Sequence, residues 1–343
     1  MPHSGEAVPW ELHPPLEVAL AKAVKGIPPD SALPGLMVFE PKLDGYRVVI
    51  FREEVRVSLW SRQGKDLTRY FPELETAAAE MIPAGCVVDG EAVVWSEGRM
   101  DFEALQRRLS AGRVSLLSMV QDLPASFIGF DVLGVAGLDA RNLPLADRRA
   151  LLAELATVWS PPLSLSPQTT DRDLAREWFE DLGGAGFEGL VAKSSTQPYL
   201  GGKRIWLKSK HISELDVVCG AVIGSVQRPT EVVAGLPIDG ELRIVGRTSP
   251  LNPADSRSLA RWLRPPTGPH PWPSTVKGTT LDRFNRDASP VDLTLVKPIV
   301  VEVAADAAWS GRSFRHALRY RRARPELAPS AVRLPARLKD AAK

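Results

Sequence analysis

Between Val38 and about Lys210 the chain alternates short β-branched runs with helical ones, and after His211 the helical runs nearly cease. That change of texture divides 343 residues into an α+β domain over residues 1–211 and a small β-barrel domain over residues 212–343, a length sufficient for two cores. Period-two alternation and β-branched content predict strands at 47–51, 55–60, 86–95, 126–133, 189–194 and 206–210. Helical spacing predicts helices at 72–82, 101–109, 144–156 and 171–182, the last closed by Gly183-Gly184. In the second half, β-runs dominate, with a short helix around Asp255–Leu263 and a Pro-rich surface loop at 264–273.

Composition excludes several classes. With 44% hydrophobic and 24% charged residues the chain is globular rather than disordered. No apolar run approaches the roughly 20 residues of a membrane helix, and the first residues lack the basic-then-apolar pattern of a signal peptide. A cytoplasmic protein with no membrane partner is expected. Cys86 and Cys219 sit in apolar β-rich stretches and read as buried thiols, and the five histidines lack metal-ligand spacing. The net charge of +2 is uneven: residues 311–343 carry ten Lys/Arg against two Asp/Glu, leaving 33 against 39 in residues 1–310. A polyanionic partner or a solvated tail both account for such an end.

Lysine is scarce, 12 against 31 Arg, so positions that keep it invite inspection for chemistry that a guanidinium cannot perform. EPKLDGYR (40–47) places Lys42 at a strand end before an Asp-Gly turn, where neighbouring cations and partial desolvation can turn an amine into a nucleophile. An ordinary hairpin turn would carry the same residues. The company is more informative: VVDGEAVVW supplies Glu91, GFEGLVAK supplies Glu188 and Lys193, and IWLKSK supplies Lys208 and Lys210 on one strand face.

The ordered set Lys-x-Asp-Gly, Asp-Gly-Glu, Phe-Asp, Glu-Gly-x-x-x-Lys, Lys-x-Lys resembles the nucleotidyltransferase motifs shared by ATP-dependent DNA ligases, RNA ligases and mRNA capping enzymes. Over Val38–Arg324 the chain is most similar to small bacterial ATP-dependent DNA ligases. The resemblance implies a nucleotidyltransferase (adenylation) domain, residues 1–211, followed by an OB-fold domain with a basic C-terminal segment, residues 212–343. It further implies that Lys42 attacks the α-phosphorus of ATP and becomes lysyl-AMP, with Lys193, Lys208 and Mg²⁺ or Mn²⁺ supplying a positive field that depresses the Lys42 pKa. Glu188 would bind the metal, assisted by Glu91, and Arg47 and Glu91 would hold the ribose and phosphates. Glu40 would meet the adenine edge, and Phe130 would either stack on the base or fill the core. Lys210 would line the nucleotide site, Arg62 beside Gly64 and Lys65 would meet the 5′-phosphate of a nick, and Arg148 is either near the nucleotide or a surface residue. Arg322 and Arg324 would orient the pyrophosphate.

The last motif departs from the family. Ligases carry Arg-x-Asp-Lys there, and this chain reads Arg-Pro-Glu-Leu at 324–327. The expected substrate is nicked double-stranded DNA, bound by a monomer associated with the nucleoid. An RNA ligase, a capping-type enzyme or a non-catalytic nucleic-acid-binding protein with decayed motifs stay open as alternatives.

Overall fold

The computed structural model describes residues 12–181, 186–282, 289–306, 308–310, 312–335 and 338, so the predicted helix stop at Gly183-Gly184 lies outside the described residues. The chain divides into two compact units, Met1–His211 and Ile212–Lys343.

The first unit contains two sheets. One is four-stranded: β1 (Leu20–Val24), β2 (Met37–Lys42), β10 (Gly189–Ser194) and β11 (Arg204–Lys210), in the order β1-β11-β10-β2. The other is built on β3 (Tyr46–Arg52), β4 (Val57–Ser61), β5 (Cys86–Ser96), β7 (Ala125–Val135) and β8 (Leu138–Asp139), in the order β4-β3-β5-β7-β8, with β6 (Arg99–Met100) on β5 and β9 (Leu163–Leu165) on β7. The helices are α1 (Pro72–Met81), α2 (Phe102–Ser110), α3 (Arg113–Asp122), α4 (Leu145–Leu155) and α5 (Arg172–Asp181).

Side-chain alternation explains why both faces of the larger sheet are dry. Val48 and Ile50 of β3, with Val88 and Val94 of β5, pack with Leu74, Leu105 and Leu152 of α1, α2 and α4. Val49, Phe51 and Val87 point the other way and meet Tyr199 and Trp206. In the smaller sheet, Met37 and Phe39 join Leu190, Ala192 and Ala175 of α5. The alternate residues Glu40, Lys42, Lys193, Trp206 and Lys208 are left on the opposite face, where a cleft opens.

Besides the short strands β6, β8 and β9, the elements β1 and α3 of this unit have no counterpart in the sequence reading. β1 reads Leu-Ala-Lys-Ala-Val, without a strong β signature, and is held as an edge strand parallel to β11. α3 carries its apolar residues all round, so only Leu116 is buried and no single face announces a helix.

The second unit is a five-stranded antiparallel sheet of β12 (Ile212–Ser225), β13 (Arg228–Ile238), β14 (Glu241–Arg247), β17 (Thr294–Asp306) and β20 (Arg319–Ala323), ordered β14-β13-β12-β17-β20. Two hairpins, β15 (Thr275–Lys277) with β16 (Pro290–Asp292) and β18 (Trp309–Ser310) with β19 (Ser313–Phe314), complete its strands. Helix α6 (Pro253–Ala260) is capped by Asn252, whose side chain accepts from the Ala254 and Asp255 amides, and α7 is Gly278–Leu281. The Pro-rich stretch 264–273 has no helix or strand but is pinned by Trp272, a buried side chain whose Nε1 donates to the Leu242 carbonyl at 2.7 Å. Cys86 and Cys219 are both buried and unbridged.

Candidate active site

A cleft of about 690 Å³ in the first unit brings together Glu40, Lys42, Arg47, Arg62, Glu91, Phe130, Lys193, Trp206 and Lys208. Eight of these nine are positions singled out in the sequence; Trp206 is the addition. It stands two residues before Lys208 on β11, so strand alternation already assigned it to the same face. Two glycines make the close approach of strands possible. A Cβ on Gly45 would fall 2.3 Å from the Ala92 carbonyl oxygen, and one on Gly189, at φ 147°, would fall 2.0 Å from that of Ser209.

At one end of the cleft, the Glu188 amide donates to the Lys42 carbonyl at 2.9 Å, fixing the two residues side by side. The Lys42 ammonium donates to Glu188 Oε2, and Lys210 Nζ lies 3.5 Å from the same oxygen. Burial alone would lower the Lys42 pKa, but the charge and hydrogen bond of Glu188, with Glu91 and Asp44 behind them, carry it above its ordinary value. The expected depression of the Lys42 pKa by Lys193, Lys208 and a divalent metal concerns the metal-loaded site; with Glu188 paired to Lys42 the carboxylates outweigh burial. The depressed amine is Lys208, through burial and then the charges of Lys42 and Lys210. Burial pushes the Glu91 carboxyl up to about 7, against the pull of Lys42 and Arg47.

Two residues back along β2, at about 3.3 Å per residue, the character changes. Glu40 is 3% exposed and Lys193 1% exposed, and Lys193 Nζ sits 2.7 Å from Glu40 Oε2. The ammonium lies 4.7 Å from the Phe130 ring centroid and 4.5 Å from that of Trp206, the two rings meeting edge-on at 6.0 Å. Phe130 owes its aim to a β-bulge: Asp89 pairs with Asp131 and Gly90 with Gly129, leaving Phe130 as the unpaired residue. It is half-buried and lines the cleft, which separates it from the fully dry core. Glu40 Oε1 is buried without a hydrogen-bond partner among the described residues, a state that costs about 1–3 kcal/mol when nothing fills it.

Arg47 forms the floor between the two ends. It pairs bidentately with Asp89, Nε to Oδ1 at 2.9 Å and Nη2 to Oδ2 at 2.5 Å, and also donates to Tyr199 Oη at 3.1 Å and to the Ala19 carbonyl. At most one of its five N–H groups is left for a ligand. Asp89 and Tyr199, given no role in the sequence reading, are therefore what hold it; Asp89 precedes Glu91 by two residues on the same strand face.

Arg148 is neither a surface residue nor part of the cleft wall. It is 1% exposed and pairs with Asp131 through Nε at 2.8 Å and Nη2 at 3.0 Å. Arg62 lines the cleft from the exposed turn after β4. Arg322 and Arg324 lie in the second unit, where Arg322 pairs with Glu302 and Arg324 with Asp216, Glu302 and Glu326. Arg312 and Arg321 are likewise paired, with Asp239 and Glu214, so much of the basic C-terminal charge is locally answered by carboxylates.

Among the described residues no three His, Cys, Asp or Glu side chains gather as a metal cage. The carboxylates around Lys42 are Glu188, Glu91 and Asp44, of which Glu188 and Glu91 are the pair expected to hold the metal. That donor set fits Mg²⁺ or Mn²⁺ held by one or two carboxylates together with substrate phosphates. A lysine against a carboxylate, an aromatic wall and a ring of cations make a pocket whose chemistry suits covalent transfer of a nucleotide.

The comparisons agree with that chemistry. The family model of the ATP-dependent DNA ligase domain matches residues 19–210. DNA ligase C of Mycobacterium tuberculosis is 36% identical over 336 residues, covering 92% of this chain and 92% of that protein. DNA ligase C2 of Mycolicibacterium smegmatis is 36% identical over 334 residues, covering 91% of each. A solved structure of a Lig E DNA ligase shares the fold, with a TM-score of 0.52 at 16% identity, covering 89% of this chain and 99% of that one. The chain belongs to the ATP-dependent DNA ligase family. Its activity is the ATP-dependent joining of DNA, by the lysyl-AMP chemistry characteristic of that family. Among the described residues no helix is long and apolar enough to cross a membrane.

Proposed function

We propose that Lys42 is the adenylated residue, that the cleft around it binds ATP, and that the substrate is a nick in double-stranded DNA, sealed by a monomer. The observation that carries this reading is the position of Lys42 in the cleft, its ammonium on Glu188 and its neighbours Lys208 and Lys210 within the same electrostatic cluster.

In the first step the Lys42 Nζ lone pair forms a bond to the α-phosphorus as the bond to the bridging oxygen breaks and pyrophosphate leaves. Lys42 must lose a proton to do so, and Glu188 opposes that loss. Mg²⁺ on Glu188 and Glu91 would supply positive charge to the triphosphate and weaken the carboxylate's hold on the Lys42 proton. Lys208, the amine with the lowered pKa, and Lys210 flank the phosphate end. Phe130 and Trp206 offer ring faces to the base, Glu40 Oε1 offers an acceptor to its edge, and Arg47 and Glu91 floor the ribose. AMP then passes from Nζ to the 5′-phosphate, and the 3′-hydroxyl displaces AMP to close the strand. Arg62, exposed at the cleft mouth, is placed to receive the 5′-phosphate.

For the domains, we read residues 1–211 as the adenylation domain and residues 212–343 as an OB-fold domain; the five antiparallel strands of the second unit support that reading. Arg322 and Arg324 would orient the pyrophosphate. The test is sealing of a nicked duplex with ATP, GTP or NAD supplied in parallel, on all-DNA and RNA-containing strands. Sealing of the DNA duplex with ATP is expected, and sealing that requires NAD or an RNA strand would overturn the proposal.

A further inference from the structure

The Glu40–Lys193 pair is the most deeply buried charge pair in the cleft wall, and it ties Lys193 to Glu40 rather than to Lys42. Glu40 Oε2 is committed to the Lys193 ammonium at 2.7 Å, while Oε1 is buried and unpartnered. Lys193 is held in turn by the rings of Phe130 and Trp206, with the Phe130 carbonyl as a second acceptor at 3.4 Å. We propose that Lys193 is a specificity-determining positioning residue: its charge keeps Glu40 a pure hydrogen-bond acceptor toward the base, so that a 6-amino purine is accepted and a 6-oxo purine refused. The inference rests on the reading of Glu40 as the base-edge contact.

The reasoning is one of donors and acceptors. An ionised carboxylate can only accept, whereas a protonated one can also donate. The 6-amino group of adenine donates, and the 6-oxo group of guanine or hypoxanthine accepts. With Glu40, 3% exposed, aimed at the 6-substituent rather than at N1, where a 6-oxo purine carries a proton, a 6-oxo purine sets acceptor against acceptor. The groups that act on Glu40 are Lys193 from β10, Arg149 from α4 and Asp131 from β7. The Glu40 carboxyl is raised above its ordinary value, because burial, with a weaker push from Asp131, outweighs Lys193, the largest influence in the opposite direction, and Arg149. Without the ammonium, Glu40 becomes an acid that donates to a 6-oxo oxygen.

The test compares the rate of covalent labelling by radiolabelled ATP and inosine triphosphate, which differ in the 6-substituent and in the proton that the 6-oxo form carries on N1. Wild type is compared with Lys193→Met, Lys193→Gln and Lys193→Arg, each checked for a cooperative melt. The ATP-to-inosine-triphosphate ratio is expected to fall by about tenfold or more in the Met and Gln variants and to be retained in the Arg variant. A folded Met or Gln variant that loses both substrates in proportion, leaving the ratio unchanged, would overturn the inference, because Lys193 would then act on the shared phosphates. If neither variant folds, the wild-type ratio decides: it falls as pH drops from about 8 to about 5.5 if Glu40 protonation controls selection, and a flat ratio contradicts the inference. Glu40→Ala separates the two readings. An unchanged ratio there refutes Glu40 as the base contact, whereas a changed ratio beside indifferent Lys193 variants refutes only the role of Lys193.

Discussion

The two ends of the cleft solve opposite problems with the same residue types. At the Glu40 end a lysine and a carboxylate are sealed from water, boxed by Phe130 and Trp206, and backed by the buried Asp131–Arg148 pair. At the Lys42 end a lysine and a carboxylate also pair, but both keep some solvent exposure, and a second amine, Lys210, shares the carboxylate. A pair that must be broken and remade during turnover has to stay accessible. A pair that only selects can be buried and rigid. Burial, rather than residue identity, separates the lysine proposed to react from the one proposed to select.

The contrast can be strained from the buried side first. Asp131→Ala leaves the Arg148 guanidinium buried without its partner, which costs about 3–5 kcal/mol of stability. The Tm should then fall on the order of 10 °C for a domain of this size. A melt within about 2 °C of wild type would mean that the base end is far softer than its burial implies.

At the reactive end, Glu188→Gln removes the charge that raises the Lys42 pKa. Two effects of opposite sign follow. Adenylation at saturating Mg²⁺ should drop about 10²-fold through loss of the metal ligand, while the rising limb of its pH profile, set by Lys42 deprotonation, should move to lower pH because the Lys42 ammonium is less stabilised. A limb that stays in place would show that Glu188 does not hold the Lys42 proton. The smallest effect is at the mouth: Arg62→Ala should weaken binding of a nicked duplex uniformly and reduce the slope of log K against log salt by about 1. An unchanged slope would remove Arg62 from the phosphate contacts.

Much of this architecture could be read from the sequence because strand alternation and motif order are local signals. The two-residue spacings Glu40-x-Lys42 and Lys208-x-Lys210 put each pair on one face, and the structure keeps them there. What the sequence withheld is non-local. The bulge that aims Phe130 depends on pairing with β5, and a spacing of five between Glu188 and Lys193 does not reveal that the first faces Lys42 and the second Glu40. Asp89 and Tyr199, 110 residues apart, meet only when the two sheets of the first unit stack. Arg148 was equally readable as a surface residue because its partner, Asp131, lies 17 residues earlier on another element. In the second unit the cluster of arginines was legible as charge, but its pairing with Asp216, Glu302 and Glu214 was not.

The central claim concerns one atom, Lys42 Nζ. Wild-type protein incubated with ATP and Mg²⁺, digested, and mapped by mass spectrometry should carry a single AMP on the peptide containing Lys42, and the Lys42→Ala variant should carry none. AMP found on Lys193, Lys208 or Lys210 instead, or retained by the Lys42→Ala protein, would contradict the account.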